Sequence, residues 1–271
     1  MRSVDKNAIM RIEVRMKLTT FSRMALFCSA VVFTSCGGNK DDPPEEINKL
    51  RALGVSSSKL TTIPSATLPL ESITLTVHAA APKGTKISVN TFVDKAAANA
   101  FPIETTLVPA SESYDTQYES IDLFTANIAF AVPPATVLKF RPGARFISLR
   151  YGIELVAGSE TEKIVGSIPI YEPGSPEIDG WKPLNIGISK PLVGATFGDD
   201  SEQEIEANLE KATDENVRVS WFVTGGLVKN RRAKTTKWQT PSKTGKHVII
   251  ATARGLRTGS FDIKPVEVNV D

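Results

Sequence analysis

From residue 71 onward, apolar and polar side chains alternate in short runs. In residues 71–79, Ile73, Leu75, Val77 and Ala79 fall on one face. Thr74, Thr76 and His78 fall on the other, which is the period of two of a half-buried strand and places His78 in solvent. Ala81-Pro82-Lys83-Gly84 turns the chain into a second strand over residues 87–93. Residues 121–132 hold a third, with Ile121, Leu123 and Phe124 ahead of Ile128, Phe130 and Val132. Arg141-Pro142-Gly143 opens a long strand over residues 144–156, with Ile147, Leu149, Tyr151 and Ile153 on one face. Gly158-Ser159-Glu160 makes a hairpin turn, and Ile164, Gly166, Ile168 and Ile170 alternate on the way back through residues 163–171. Short strands with turns at this spacing predict a sandwich or barrel over residues 47–171.

Residues 172–183, EPGSPEIDGWKP, are rich in Pro and Gly and mark a linker. The alternation resumes at Leu184, Ile186 and Ile188 and continues to residue 271. Residues 204–209 carry the Glu and Ala of a helix, yet Ile205, Ala207 and Leu209 alternate with Glu204, Glu206 and Asn208, which predicts a strand. Asp214-Glu215-Asn216 turns into a strand with Val217, Val219, Trp221 and Val223 on one face. After Gly245-Lys246, His247, Ile249, Ala251 and Ala253 share a face, and residues 261–270 close the sheet. The predicted class is all-β, with two tandem β-sandwiches over residues 47–171 and 184–271.

The chain before residue 47 has another pattern. Arg15, Lys17 and Arg23 precede an apolar run of ten residues, Met24 to Phe33. A bilayer span needs about 20. A basic end, a short apolar core and small residues after it predict a signal peptide over residues 1–35. Met16 is an alternative start that shortens the leader. Residues 36–46 contain GGNKDDPPEE, with no large apolar side chain, and read as a flexible tether.

The exit of the leader, Phe33-Thr34-Ser35-Cys36-Gly37, resembles the lipobox of bacterial lipoproteins. Phe33 stands where Leu is usual. The resemblance implies a diacylglyceryl group on Cys36, cleavage before it and acylation of the new amino terminus. It further implies palmitate-type acyl chains and anchoring in the cell outer membrane, since Gly37 and not Asp follows Cys36. One acyl chain binds a membrane weakly and a second makes attachment stable. The other cysteine, Cys28, leaves with the leader, so the remaining chain has no disulfide and no thiolate chemistry.

The second sandwich has a resemblance of its own. Its opening strand, Ser189-x-Pro191-x-x-Gly194-Ala195-Thr196-Phe197, the acidic turn, the Trp221 strand and Thr244-Gly245-Lys246-His247 are similar to bacterial immunoglobulin-like modules of the PKD and cadherin-like kind. The first sandwich resembles the same class more weakly. Such folds host many functions, so the resemblance implies architecture and not activity.

Catalytic chemistry finds little support in the residues. The two histidines, His78 and His247, lie in different sandwiches, and His247 faces inward as a hydrogen-bonded core residue. No nucleophile elbow, zinc-protease helix or phosphate loop is present. No cofactor beyond the lipid on Cys36 is expected. Asp199, Asp200 and Asp214 offer oxygen atoms of the kind Ca²⁺ takes, without the spacing of a calcium loop.

Charge is distributed unevenly although the net is only +2. Residues 199–215 carry eight acids against Lys211, and residues 217–257 carry ten bases and no acid. Lys229, Arg231, Arg232, Lys234 and Lys237, with Trp238 beside them, form a candidate loop for an anionic ligand such as lipid A phosphate or an acidic glycan, with nucleic acid disfavoured. The intramolecular alternative pairs these bases with acids on a neighbouring strand. The expectation is therefore a non-catalytic lipoprotein. It serves either as a scaffold or accessory subunit of the cell envelope, or as a surface adhesin that takes an anionic ligand through the basic loop. The face of the membrane it occupies stays open.

Overall fold

A computed structural model describes residues 45–58, 61–62, 72–92, 107–131, 146–171, 183–211, 215–256 and 258–271. The leader, Cys36, Asp214 and all but Pro183 of the expected linker lie outside these. Every regular element among the described residues is a strand. The first sandwich comprises β1 (Arg51–Ser57), β2 (Thr61–Thr62), β3 (Ser72–Pro82), β4 (Ser88–Phe92), β5 (Leu107–Asp115), β6 (Ile121–Ala131), β7 (Phe146–Ala157) and β8 (Glu160–Tyr171). The second comprises β9 (Asn185–Lys190), β10 (Thr196–Phe197), β11 (Glu202–Glu210), β12 (Val217–Val223), β13 (Leu227–Val228), β14 (Thr235–Gln239), β15 (Gly245–Gly255) and β16 (Phe261–Val270).

The sheets run β1-β3-β6-β5 and β2-β8-β7-β4, then β9-β11-β14-β13 and β10-β16-β15-β12. The two halves share one strand order, displaced by eight strands. In each, the opening strand pairs antiparallel with one sheet, and a short continuation crosses to the other and pairs parallel with the last strand. With the opening and crossing pieces counted as one split strand, this is the ABED/CFG order of immunoglobulin sandwiches. The buried Trp221 stands on the third strand of its sandwich, where that fold places its core tryptophan.

Alternation builds both cores. Ile73, Leu75, Val77 and Ala79 of β3 face Ile153, Leu155, Ile164 and Ile168 of the opposing sheet. In the second sandwich Ile205 and Ala207 of β11 meet Trp221, Trp238, Ile249 and Val268. The hairpin turn at Gly158 is as expected, with φ +60° that glycine takes without cost. Glu202–Glu210 is a strand, in keeping with its period and against its helix-forming composition.

A third buried cluster joins the two sandwiches. Leu53, Ala80, Ile121 and Leu123 of the first meet Val248 and Ile250 of the second, with Phe222, Phe261 and Ile263 packed against them. β15 is therefore buried on both faces for most of its length. The alternation of β3 is as expected, with Thr74 exposed, but the placement of His78 is corrected. His78 is not in solvent. Its ring lies 5.4 Å from that of Phe261 in the second sandwich, and its Nε2 is 3.1 Å from the Ser56 hydroxyl. Burial pulls its pKa from 6.5 down to about 4. Tyr151 of the first sandwich is also buried, and burial is the main reason its pKa is raised, with the charge of Arg254 in the second sandwich pulling it the other way.

The last residues of the expected tether are also held. The Val223 N–H donates to the Glu45 carbonyl at 2.9 Å and the Ile47 N–H to the Val223 carbonyl at 2.7 Å. Glu46 makes a parallel bridge to Val223. Glu45 and Ile47 are buried. The chain thus hydrogen-bonds to the second sandwich before it enters the first.

Candidate functional site

The basic segment of the second sandwich is a hairpin and not an open loop. β13 pairs with β14 through Leu227–Gln239 and Val228–Trp238, and the turn between them carries Asn230 to Lys234. Backbone and side-chain bonds build that turn. The Asn230 N–H donates to Thr236 Oγ1 at 3.0 Å, and the Arg232 N–H donates to Asn230 Oδ1 at 3.2 Å. The core then fastens it from behind. The Trp221 indole N–H donates to the Ala233 carbonyl at 2.8 Å, the Trp221 backbone N–H to the Arg231 carbonyl at 3.0 Å, and the Ala207 N–H to the Lys234 carbonyl at 3.0 Å.

The candidate residues fall into three groups. Trp238 is part of the core: it has no exposed surface, its indole N–H donates to the Gly225 carbonyl at 3.0 Å, and its ring stands edge-on to Phe197. The period of two along Thr235–Gln239 turns Thr236 and Trp238 inward and Thr235 and Lys237 outward. A ligand cannot stack on that indole, which corrects the pairing of Trp238 with the bases. Lys229 and Lys237 both reach the carboxylate of Glu202 on β11. Hydrogen bonds from Lys229 and then Lys237 hold the Glu202 carboxyl below the ordinary carboxylate range, and Glu202 raises Lys237 in turn. Arg231, Arg232 and Lys234 remain. Arg232 and Lys234 are exposed and Arg231 is half-exposed, and none of the three has an ion-pair partner among the described residues.

Glu202 is the partner that the intramolecular alternative left unnamed. The signal was the register: Glu202 lies opposite Gln239 and Glu204 opposite Lys237 in the β11–β14 ladder, so acids of one strand answer bases of the next. Glu204 also pairs with Lys190 at 2.6 Å, so this face of the sandwich carries a chain of alternating charges.

Asp199 and Asp200 lie in an exposed turn between β10 and β11, and Asp200 has φ +46°. Among the described residues, no three His, Cys, Asp or Glu side chains gather closely enough to hold a metal ion. His247 is buried as expected, with Nε2 2.9 Å from the Lys243 carbonyl and Nδ1 3.5 Å from Thr224 Oγ1.

No family model matches the chain, and no curated protein matches it. Among solved structures, a nucleoside hydrolase-related protein from Saccharophagus degradans, described as associated with carbohydrate metabolism, is 15% identical with a TM-score of 0.30. That match covers 33% of this chain and 26% of the other, so this chain spans about a quarter of that protein. The fibronectin(III)-like modules of Clostridium thermocellum CbhA are 12% identical, covering 82% of this chain and 92% of theirs, with a TM-score of 0.29. Drosophila N-cadherin EC1-3 is 10% identical, covering 83% and 68%, with a TM-score of 0.28. Likeness of this degree carries no function, and the fold rests on the strand order itself.

Proposed function

We propose that the chain is a non-catalytic module of the cell envelope, anchored in the outer membrane by lipid on Cys36, and that it acts as a structural or scaffold element. The observation that carries this reading is the seam. Leu53, Ala80, Ile121 and Leu123 are buried against Val248, Ile250 and Phe261, so the tandem presents its surfaces at a fixed angle. Flexibly linked domains have small, polar contacts that leave them free to move. A seam with buried apolar side chains and the His78 and Phe261 rings in contact suits a spacer or platform that must transmit position. The alternative is an adhesin that captures an anion on the basic hairpin. It is weakened by the loss of Trp238 to the core and of two lysines to Glu202.

The test has two arms on intact cells that carry a C-terminal tag. Wild-type protein should sediment with membranes and resist extraction by salt, and Cys36→Ala should release it. Protease added outside the cells, with a periplasmic protein as integrity control, then fixes the face. A protected tag is expected for a periplasmic scaffold. A shaved tag, with the control intact, would favour the adhesin. Retention of Cys36→Ala in the membrane would overturn the anchor.

A further inference from the structure

We propose that the turn between β13 and β14, with Arg231, Arg232 and Lys234, is a contact surface for the anionic lipid headgroups of the membrane that holds the chain's own anchor. This rests on the reading of Cys36 as the lipid-bearing residue.

The argument comes from the outer edge of β12. Trp221 donates its N–H to Arg231, and two residues further on Val223 bonds with Glu45 and Ile47. Positions i and i+2 on a strand are roughly 6.6 Å apart. The tether therefore ends one strand step from the cationic turn. The Glu46–Val223 bridge is parallel, so the chain comes to Glu45 from the Trp221 side, where the turn lies. Cys36 precedes Glu45 by nine residues. Fully extended, such a segment spans at most about 30 Å. The edge that carries the turn is thus within about 30 Å of the anchor, in reach of the bilayer.

The charge fits. Arg231, Arg232 and Lys234 have no ion-pair partner among the described residues, while Lys229 and Lys237 share the single Glu202. Glu45 is itself buried and turned away from solvent. Guanidinium forks match phosphate oxygens, and each base near an anionic surface strengthens binding about fivefold. The other occupant within reach is the tether's own pair, Asp41 and Asp42.

The experiment uses protein purified from membranes with its anchor, reconstituted into vesicles of phosphatidylcholine alone or mixed with phosphatidylglycerol. Lysine acetylation is read residue by residue by mass spectrometry. Lys234 should label about fivefold more slowly on the anionic vesicles, while Lys163 on the other sandwich labels equally on both. High salt should abolish the difference, and Arg231→Glu with Arg232→Glu should restore labelling of Lys234. Equal labelling of Lys234 on both vesicles would overturn the proposal. Protection that is the same on both lipids and is lost in Asp41→Asn/Asp42→Asn would also overturn it, and would assign the turn to the tether. The same spectra report the mass at Cys36. Lipid on Cys36 with an unprotected Lys234 sinks the headgroup contact alone, whereas an unmodified Cys36 sinks the anchoring and the contact together.

Discussion

Gly54 tests the seam at a single atom. It lies in β1, where the register to β3 shifts between Ala52 and Gly54. A Cβ built on it would stand 2.2, 2.5 and 2.7 Å from three carbons of the Phe261 ring in the second sandwich. Carbon atoms at rest sit about 3.5–4.0 Å apart, so Gly54→Ala must push the ring back by about 1.5 Å. The ring cannot swing away freely, because its other neighbours include the His78 ring. Overpacking of this kind costs about 1–3 kcal/mol, and we expect about 2 kcal/mol. The sign should reverse when the obstacle is removed. In a Phe261→Ala background, Gly54→Ala has space to occupy and restricts the unfolded chain, so it should be neutral or stabilising by about 0.5 kcal/mol. Urea unfolding, followed by the fluorescence of the buried Trp221 and Trp238, measures all four corners of this cycle. A Gly54→Ala cost that is equal in both backgrounds would refute the contact, and with it the docking of Phe261 on β1.

Three further outcomes follow from the same geometry. His78 is held neutral by burial, so the unfolded chain takes up its proton first; stability should be full above about pH 6.5 and fall by about 3 kcal/mol as pH drops to about 4. His78→Gln should flatten that slope in urea midpoints taken across the range, and an unchanged slope would count against the seam environment. Trp238→Phe removes buried ring volume and strips the Gly225 carbonyl of its donor, for a loss of about 2–4 kcal/mol in the same unfolding assay; a near-neutral result would mean the indole is not in the core. Glu202→Gln frees Lys229 and Lys237 and should delay elution from a cation exchanger, whereas Arg231→Ala with Arg232→Ala and Lys234→Ala should advance it; elution unchanged in both would show that the hairpin is not the dominant basic surface.

The elements that sequence patterning found are those with a run of alternate apolar residues facing their own core. β3, β7, β8, β11, β12 and β15 each keep a run of alternate apolar residues, and each lies where the alternation placed it. The misses have physical reasons. β1 is buried at five consecutive positions from Arg51 to Val55, because one side meets its own core and the other meets the seam, and a strand covered on both faces shows no period of two. β14 does alternate, but its place in a run of bases made it look like loop, and its one outward lysine, Lys237, hid the inward Trp238. His78 was assigned to solvent from its own strand alone. What covers it is Phe261, nearly two hundred residues away in sequence, and no local pattern carries that information. The intramolecular pairing of bases with acids was legible as a class of contact, but naming Glu202 required the β11–β14 register.

The claim on which the rest depends is that two sandwiches of the same topology are buried against each other as one cooperative body. Scanning calorimetry of the full chain tests it most directly. One transition is expected, with a calorimetric enthalpy equal to the van't Hoff enthalpy, and Gly54→Ala should lower it as a whole. Two resolved transitions, of which the substitution shifts only that of the first sandwich, would contradict the shared seam and reduce the tandem to domains that merely touch.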